Sequence, residues 1–209
     1  CIMPSIGNVA ACYHTKMIST SDKAHFPGME HREFHPENAA ELAEALVKEA
    51  IDNFGRRGEV FIPVESVAST GGFSVESIVG ALGGTPTPLI EAIKAGKIRG
   101  AVGIVGCNNP RIKQDLGHVV LTKRLIENDI LVVDTGCAAV ATAKAGLKQL
   151  EAAKLAGPGL GEICTALGIP PVLHMGSCVD NVRILVLASA LANALGVDIS
   201  DLPIAGAAP

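Results

Sequence analysis

Gly100-Ala101-Val102-Gly103-Ile104-Val105-Gly106-Cys107 and Ile130-Leu131-Val132-Val133-Asp134-Thr135-Gly136-Cys137 share one plan: a short, nearly continuous apolar run, then glycine, then cysteine. A third run, Pro171-Val172-Leu173-His174-Met175-Gly176-Ser177-Cys178, ends the same way with one serine inserted. Runs of this length, rich in Val and Ile and lacking strict alternation, read as strands buried on both faces beneath covering helices. Helical periodicity fills the intervals, over about 116–128, 138–150 and 160–167, and follows the last run over about 182–195. The alternation predicts an α/β fold, a Rossmann-like doubly wound parallel sheet over about 98–209.

Upstream the pattern changes. Pro36 is tolerated in a first helical turn, and Ala40, Leu42, Ala43, Leu46, Val47, Ala50 and Ile51 recur on one side until Gly55, which predicts an amphipathic helix. Val60 to Val64 reads as a short strand that Pro63 confines to an edge. Gly71, Gly72, Gly83 and Gly84 bracket a short helix over about 75–82, and Pro86 to Ala95 starts another. The expected division is residues 1–84 as the C-terminal part of a middle α/β domain, and residues 85–209 as a Rossmann-like domain incomplete at its C-terminus. The chain thus carries the end of one such domain and most of a second.

With 209 residues and 48% hydrophobic content, the chain can bury a sizeable core, which excludes a disordered segment. A net charge of -4 and 3% aromatic residues leave no basic, base-stacking surface, so nucleic acid is not an expected partner. The apolar stretch Ile184 to Val197 falls short of the roughly 20 residues of a membrane span, so a soluble protein is expected. The six cysteines fit reduced intracellular thiols or metal ligands better than a disulfide scaffold. The expected location is cytoplasmic, with peripheral attachment to a membrane through redox partners as the alternative. The first residue is Cys1 in place of an initiator Met, which gives the expectation of an internal fragment.

All strand C-termini of a parallel sheet lie on one edge, where ligands bind. Cys107, Cys137 and Cys178 each follow a strand and precede a helix, so three thiols are expected together, on turns about 4.8 Å apart where strands are neighbours. The preceding glycines permit tight turns, and helix N-termini favour thiolates. No Cys-x-x-Cys pair is present, so the ligands of an iron-sulfur centre would be collected by tertiary structure. The competing reading is three buried, structural thiols, as expected for Cys12 and Cys164, which lack the glycine-turn context. His174 reads as a hydrogen-bonded structural histidine or as a group orienting the Cys178 turn. Asp180 and Asn181 either brace that turn or cap the following helix, and Asn108 and Asn109 carry the same ambiguity. His14, His25, His31 and His35 read as a solvated loop.

Several words resemble the catalytic subunit of anaerobic nickel-iron-sulfur carbon monoxide dehydrogenase. They are Cys1-Ile2-Met3-Pro4, Ser21-Asp22-Lys23 through Phe26-Pro27-Gly28-Met29-Glu30-His31, Gly103-Ile104-Val105-Gly106-Cys107-Asn108-Asn109, Thr135-Gly136-Cys137, and Pro170-Pro171-Val172-Leu173-His174-Met175-Gly176-Ser177-Cys178-Val179-Asp180-Asn181. They occur in family order across essentially the whole chain. The resemblance implies that Cys1, Cys107 and Cys137 bind iron of a nickel-iron-sulfur cluster and that Cys178 binds its nickel; Cys1 enters on the resemblance alone. It implies interconversion of CO plus water with CO2, protons and electrons, a ferredoxin-like electron carrier, a homodimeric full-length protein and an acetyl-CoA synthase subunit as a further partner. Further 4Fe-4S clusters are expected in an upstream region, and a catalytic lysine and the other acid/base groups outside this chain. The alternatives are a hybrid-cluster-type reductase of nitrogen compounds and a noncatalytic Rossmann-like binding domain with structural cysteines.

Overall fold

The structure, a computed structural model, describes residues 18–20, 29–56, 58, 59, 61, 64–66, 68–72, 74–109 and 111–209. The chain divides into two compact units, residues 1–64 and 65–209.

In the first unit, β1 (Ile18–Ser19) pairs in parallel with β2 (Glu30–His31), and α1 (Ala39–Phe54) follows the Pro36 turn expected from the sequence. Arg32 links β2 to α1, reaching Glu30 at 2.6 Å and also pairing with Glu49 on α1. Phe61 and Val64, the described apolar residues of the segment expected as a strand, are not in a strand and are exposed.

The second unit begins with α2 (Val75–Ala81) and α3 (Thr87–Lys94). Ser74 caps α2 by accepting from the Ser77 N–H at 3.2 Å. Ile78, Leu82, Leu89 and Ile90 bury in the same core as the sheet, so the Gly83-Gly84 stretch read as a domain join lies inside this unit. The sheet follows: β3 (Gly100–Ile104), α4 (Leu116–Glu127), β4 (Ile130–Thr135), α5 (Gly136–Lys144), α6 (Pro158–Leu167), β5 (Val172–Gly176), α7 (Asn181–Leu195) and β6 (Ile204–Ala207). α5 stops at Lys144, short of the expected end near residue 150, and a 3-10 segment, Leu150–Leu155, follows after a turn. Gly146, at φ +72, stops the α-helical run there.

All pairings are parallel, in the order β5-β4-β3-β6. The chain steps outward from β3 to β5, then returns across the sheet to place β6 on the other side of β3. With right-handed crossovers, that reversal puts α7 on the face opposite α4 and α5. The side chains agree. A Cβ at Gly103 would lie 3.3 Å from Ile184 of α7, whereas Asp134, in register with Ile104, accepts from Thr142 of α5. The sheet is therefore doubly wound, and Ile104, Val132, Val172 and Leu173 are almost wholly buried in it.

The helical run Cys178–Leu195 has 18 residues and a mean hydropathy of 1.5, long and apolar enough to cross a membrane by length and composition alone. Its Leu187, Ala188, Leu191 and Ala192 are buried within this unit, as in a helix covering a sheet, while Val179, Val182, Leu185 and Val186 are exposed.

Candidate metal centre

Cys107 stands just past the end of β3, Cys137 is the second residue of α5 directly after β4, and Cys178 opens a 3-10 turn (Cys178–Asp180) directly after β5. All three lie on the C-terminal edge of the sheet, and Cys107 lies beside the switch point between β3 and β6. The thiols sense one another. Burial pushes the Cys137 thiol above its ordinary value, and the charge and hydrogen bond of Cys107 and the charge of Cys178 push the same way. The Asn108 backbone N–H donates to the Cys137 sulfur and opposes that rise. Cys1 and Cys12 lie outside the described residues.

Each turn is held by its own polar contacts. Gly136 has φ +57, in the left-handed region, and a Cβ there would lie 3.1 Å from the Cys178 Cβ and 3.3 Å from its backbone nitrogen. Its bare backbone is what lets the Cys137 and Cys178 turns touch. The Ser177 N–H donates to Asp180 Oδ2 at 2.8 Å, and its hydroxyl reaches the same oxygen at 3.0 Å. Those bonds, the backbone one first, hold the Asp180 carboxyl below the usual carboxylate range. Asp180 therefore braces the Cys178 turn. The Thr135 hydroxyl donates to Asn181 Oδ1, tying the end of β4 to the start of α7. On the third turn, Asn108 Nδ2 donates to Asp115 Oδ1 at 3.0 Å and Asn108 Oδ1 accepts from the Asp115 N–H at 2.7 Å, while Lys144 pairs with the same carboxylate.

Cys164 is a different kind of thiol. It is buried on α6, and burial alone pushes its pKa up to about 12, which makes it an inert core residue, as the sequence suggests.

Beneath the thiols lies a group of charges that the sequence reading missed. Lys148 and Asp134 form an ion pair at 1% and 0% exposure, and the Thr142 hydroxyl donates to Asp134 Oδ2 at 2.5 Å. The available signal was Asp134 itself, since a carboxylate within an apolar strand needs a partner. His174 is the register partner of Asp134 on β5. Its Nδ1 is buried and has no hydrogen-bond partner among the described residues, so the expected hydrogen-bonded histidine is not found at that atom.

Burial and then the Lys148 ammonium hold His174 below its ordinary value near 6.5, with Asp134 acting in the opposite sense. The folded state thus takes up this proton less readily than the unfolded state. That contribution to stability is intact above the unfolded value and is lost as pH falls through it. The full-length protein should show a melting temperature that drops between about pH 7 and about pH 5.5, and His174→Asn should drop less. Equal drops for the two proteins would contradict the assignment.

Among the described residues, no group of three His, Cys, Asp or Glu side chains could hold a single metal ion. A cluster makes a different demand, because each thiolate binds its own metal atom and the ligands stand apart around it. The donor set fits such a group: soft thiolates on an open strand edge, a backbone N–H aimed at one sulfur, and a glycine where two ligand turns meet.

These features define a Rossmann-like α/β unit whose ligand edge is lined with thiols. The chain belongs to the Prismane/CO dehydrogenase family, whose model matches residues 1–209. Among curated relatives, carbon monoxide dehydrogenase 1 of Methanosarcina acetivorans is 62% identical, over 100% of this chain and 34% of its own length. The chain thus spans about a third of that relative. Among solved structures, a nickel-free carbon monoxide dehydrogenase from Thermococcus sp. AM4 aligns at a TM-score of 0.87 and 57% identity, over 100% of this chain and 33% of its own. An acetyl-CoA synthase/carbon monoxide dehydrogenase structure, described with nickel-zinc and nickel-nickel Fe4S4 clusters, aligns at 0.85 and 39% identity, over 100% of this chain and 34% of its own.

Proposed function

We propose that this chain is the cluster-holding segment of an anaerobic carbon monoxide dehydrogenase. Cys107 and Cys137, with Cys1, hold iron, and Cys178 holds nickel. The observation that carries the reading is the gathering of three strand-end thiols on the C-terminal edge of one parallel sheet, with Cys107 beside its switch point, in a chain of this family. When bound, the cluster supplies the redox and Lewis-acid chemistry that interconverts CO plus water with CO2, protons and electrons. The chain's own residues supply direction. The Asn108 N–H favours the Cys137 thiolate against the opposing effect of burial and of the neighbouring thiols, Gly136 sets the spacing of the Cys137 and Cys178 turns, and Asp180 and Asn181 fix the nickel-side turn.

An apolar cavity of about 350 Å³ between α7 and the β3–β6 pair, lined by Val105, Ile184, Ala188 and Asn181, suits a small uncharged molecule such as CO. The groups that move protons belong to other parts of the protein. The electrons pass through further 4Fe-4S clusters to a ferredoxin-like carrier, in a cytoplasmic homodimer that in some settings joins an acetyl-CoA synthase subunit.

Anaerobic metal analysis with a CO-dependent dye-reduction assay of the full-length protein tests the reading. Nickel together with iron and sulfide, and dye reduction that depends on CO, are expected. Iron and sulfide without nickel, with turnover of nitrogen compounds, would select the alternative.

A further inference from the structure

Lys148 stands out in the second unit because nothing in the proposed chemistry uses it. It is 1% exposed, beneath the sheet's ligand edge, and its ammonium pairs with Asp134. A buried ion pair of this kind adds little net stability over a well-packed apolar pair of similar volume, since desolvation offsets most of the attraction. What it does add is direction, because a charge pair holds its partners in a single arrangement.

That arrangement lies directly under one of the thiols. Asp134 is the next-to-last residue of β4, and Thr135-Gly136-Cys137 follow it without interruption. One Asp134 oxygen meets Lys148 and the other accepts from Thr142, which lies on the helix that Gly136 and Cys137 begin. Lys148 is anchored in turn, because its backbone carbonyl accepts from the Thr70 N–H at 2.9 Å. The end of β4 and the body of α5 are therefore fastened to one carboxylate, with the Cys137 turn as the only backbone between them. The charged and titratable neighbours of Asp134 are Lys148 and His174 on the next strand.

We infer that Lys148, acting through Asp134, is a positioning residue that sets where the Cys137 sulfur stands on the ligand edge. This rests on reading Cys137 as a cluster ligand. Lys148 touches neither substrate nor cluster, so its effect is on geometry.

The test compares full-length wild type with the double variant Asp134→Leu, Lys148→Met, which replaces the pair with apolar groups of similar volume. Thr142 keeps a partner in that variant, because its hydroxyl also reaches the Ala138 and Ala139 carbonyls at 3.2 and 3.1 Å. The expected result is iron content and a melting temperature close to wild type, a broadened or shifted electron paramagnetic resonance signal from the reduced centre, and turnover lower by about tenfold. A wild-type signal with wild-type turnover would overturn the inference. If the double variant does not fold, Thr142→Val decides. It leaves the ion pair in place and cuts the tie from Asp134 to α5, together with hydroxyl contacts to the Ala138 and Ala139 carbonyls that lie within α5 itself, so a changed signal with turnover lower by about threefold supports the inference, and an unchanged protein overturns it. Wild type holding no nickel-iron-sulfur centre would overturn the proposed function itself, and this inference with it.

Discussion

Cys178→Ser in the full-length protein is expected to remove nickel and CO-dependent turnover while most of the iron stays bound. The Cys178 turn is rigid without help from the thiol, because Asp180 accepts from both the backbone N–H and the hydroxyl of Ser177, and Asn181 is tied to Thr135. Serine therefore replaces sulfur with oxygen at nearly the same place. The hydroxyl is a harder donor that keeps its proton at neutral pH and holds nickel poorly. The cubane irons rest on other cysteines in this assignment, so iron and sulfide should persist. The loss of turnover should exceed the roughly 10- to 100-fold typical of changes outside the ligand set. Nickel content and dye reduction measured on one preparation check this, and a variant that retains nickel at wild-type occupancy would remove Cys178 from the ligand set.

The second large effect is expected from Gly136→Val, which leaves every ligand in place. A Cβ at this position would press on Cys178 at 3.1 Å, in a backbone conformation at φ +57 that a β-branched residue resists. The strain is worth about 1–2 kcal/mol, little beside the core packing of this unit. The fold should survive while the two ligand turns move apart. Misplacement of reacting groups by about 1 Å can cost on the order of 100-fold in rate. Turnover should fall by at least that factor, with nickel and iron both reduced, because the change strikes the meeting point of the two turns. Circular dichroism matching wild type, together with metal loss, is the expected signature. Full metal content and full turnover would mean that the Cys137 and Cys178 turns do not share a centre.

The three strand ends were legible because two independent signals coincide there. Apolar runs of five or six residues mark buried parallel strands, and Gly-Cys or Gly-Ser-Cys marks the turn that follows. The expected strands and helices fall on β3, α4, β4, α6, β5 and α7 with small shifts at their ends. β6 was missed: Ile204-Ala205-Gly206-Ala207 is short, small and partly exposed, so it carries no periodic signal, and its pairing with β3 is a tertiary fact. Without β6 the strand order, and so the switch point beside Cys107, was not legible.

Lys148 was hidden for another reason. A lysine in the last turn of an expected helix reads as solvated, and only the position of Asp134 in three dimensions makes it a core residue. The His174 Nδ1, without a partner among the described residues, was equally out of reach, because hydrogen-bond satisfaction depends on neighbours from distant parts of the chain. The assignment of individual cysteines to iron and to nickel comes from the family resemblance, since thiols on one edge are chemically alike.

Anaerobic crystals of the full-length protein, with anomalous diffraction recorded at the iron and nickel edges, test the four-cysteine centre most directly. The expected maps place iron peaks in bonding contact with Cys1, Cys107 and Cys137 and one nickel peak in bonding contact with Cys178. Maps without metal at Cys107, Cys137 and Cys178, or with Cys1 remote from the peaks, would contradict it.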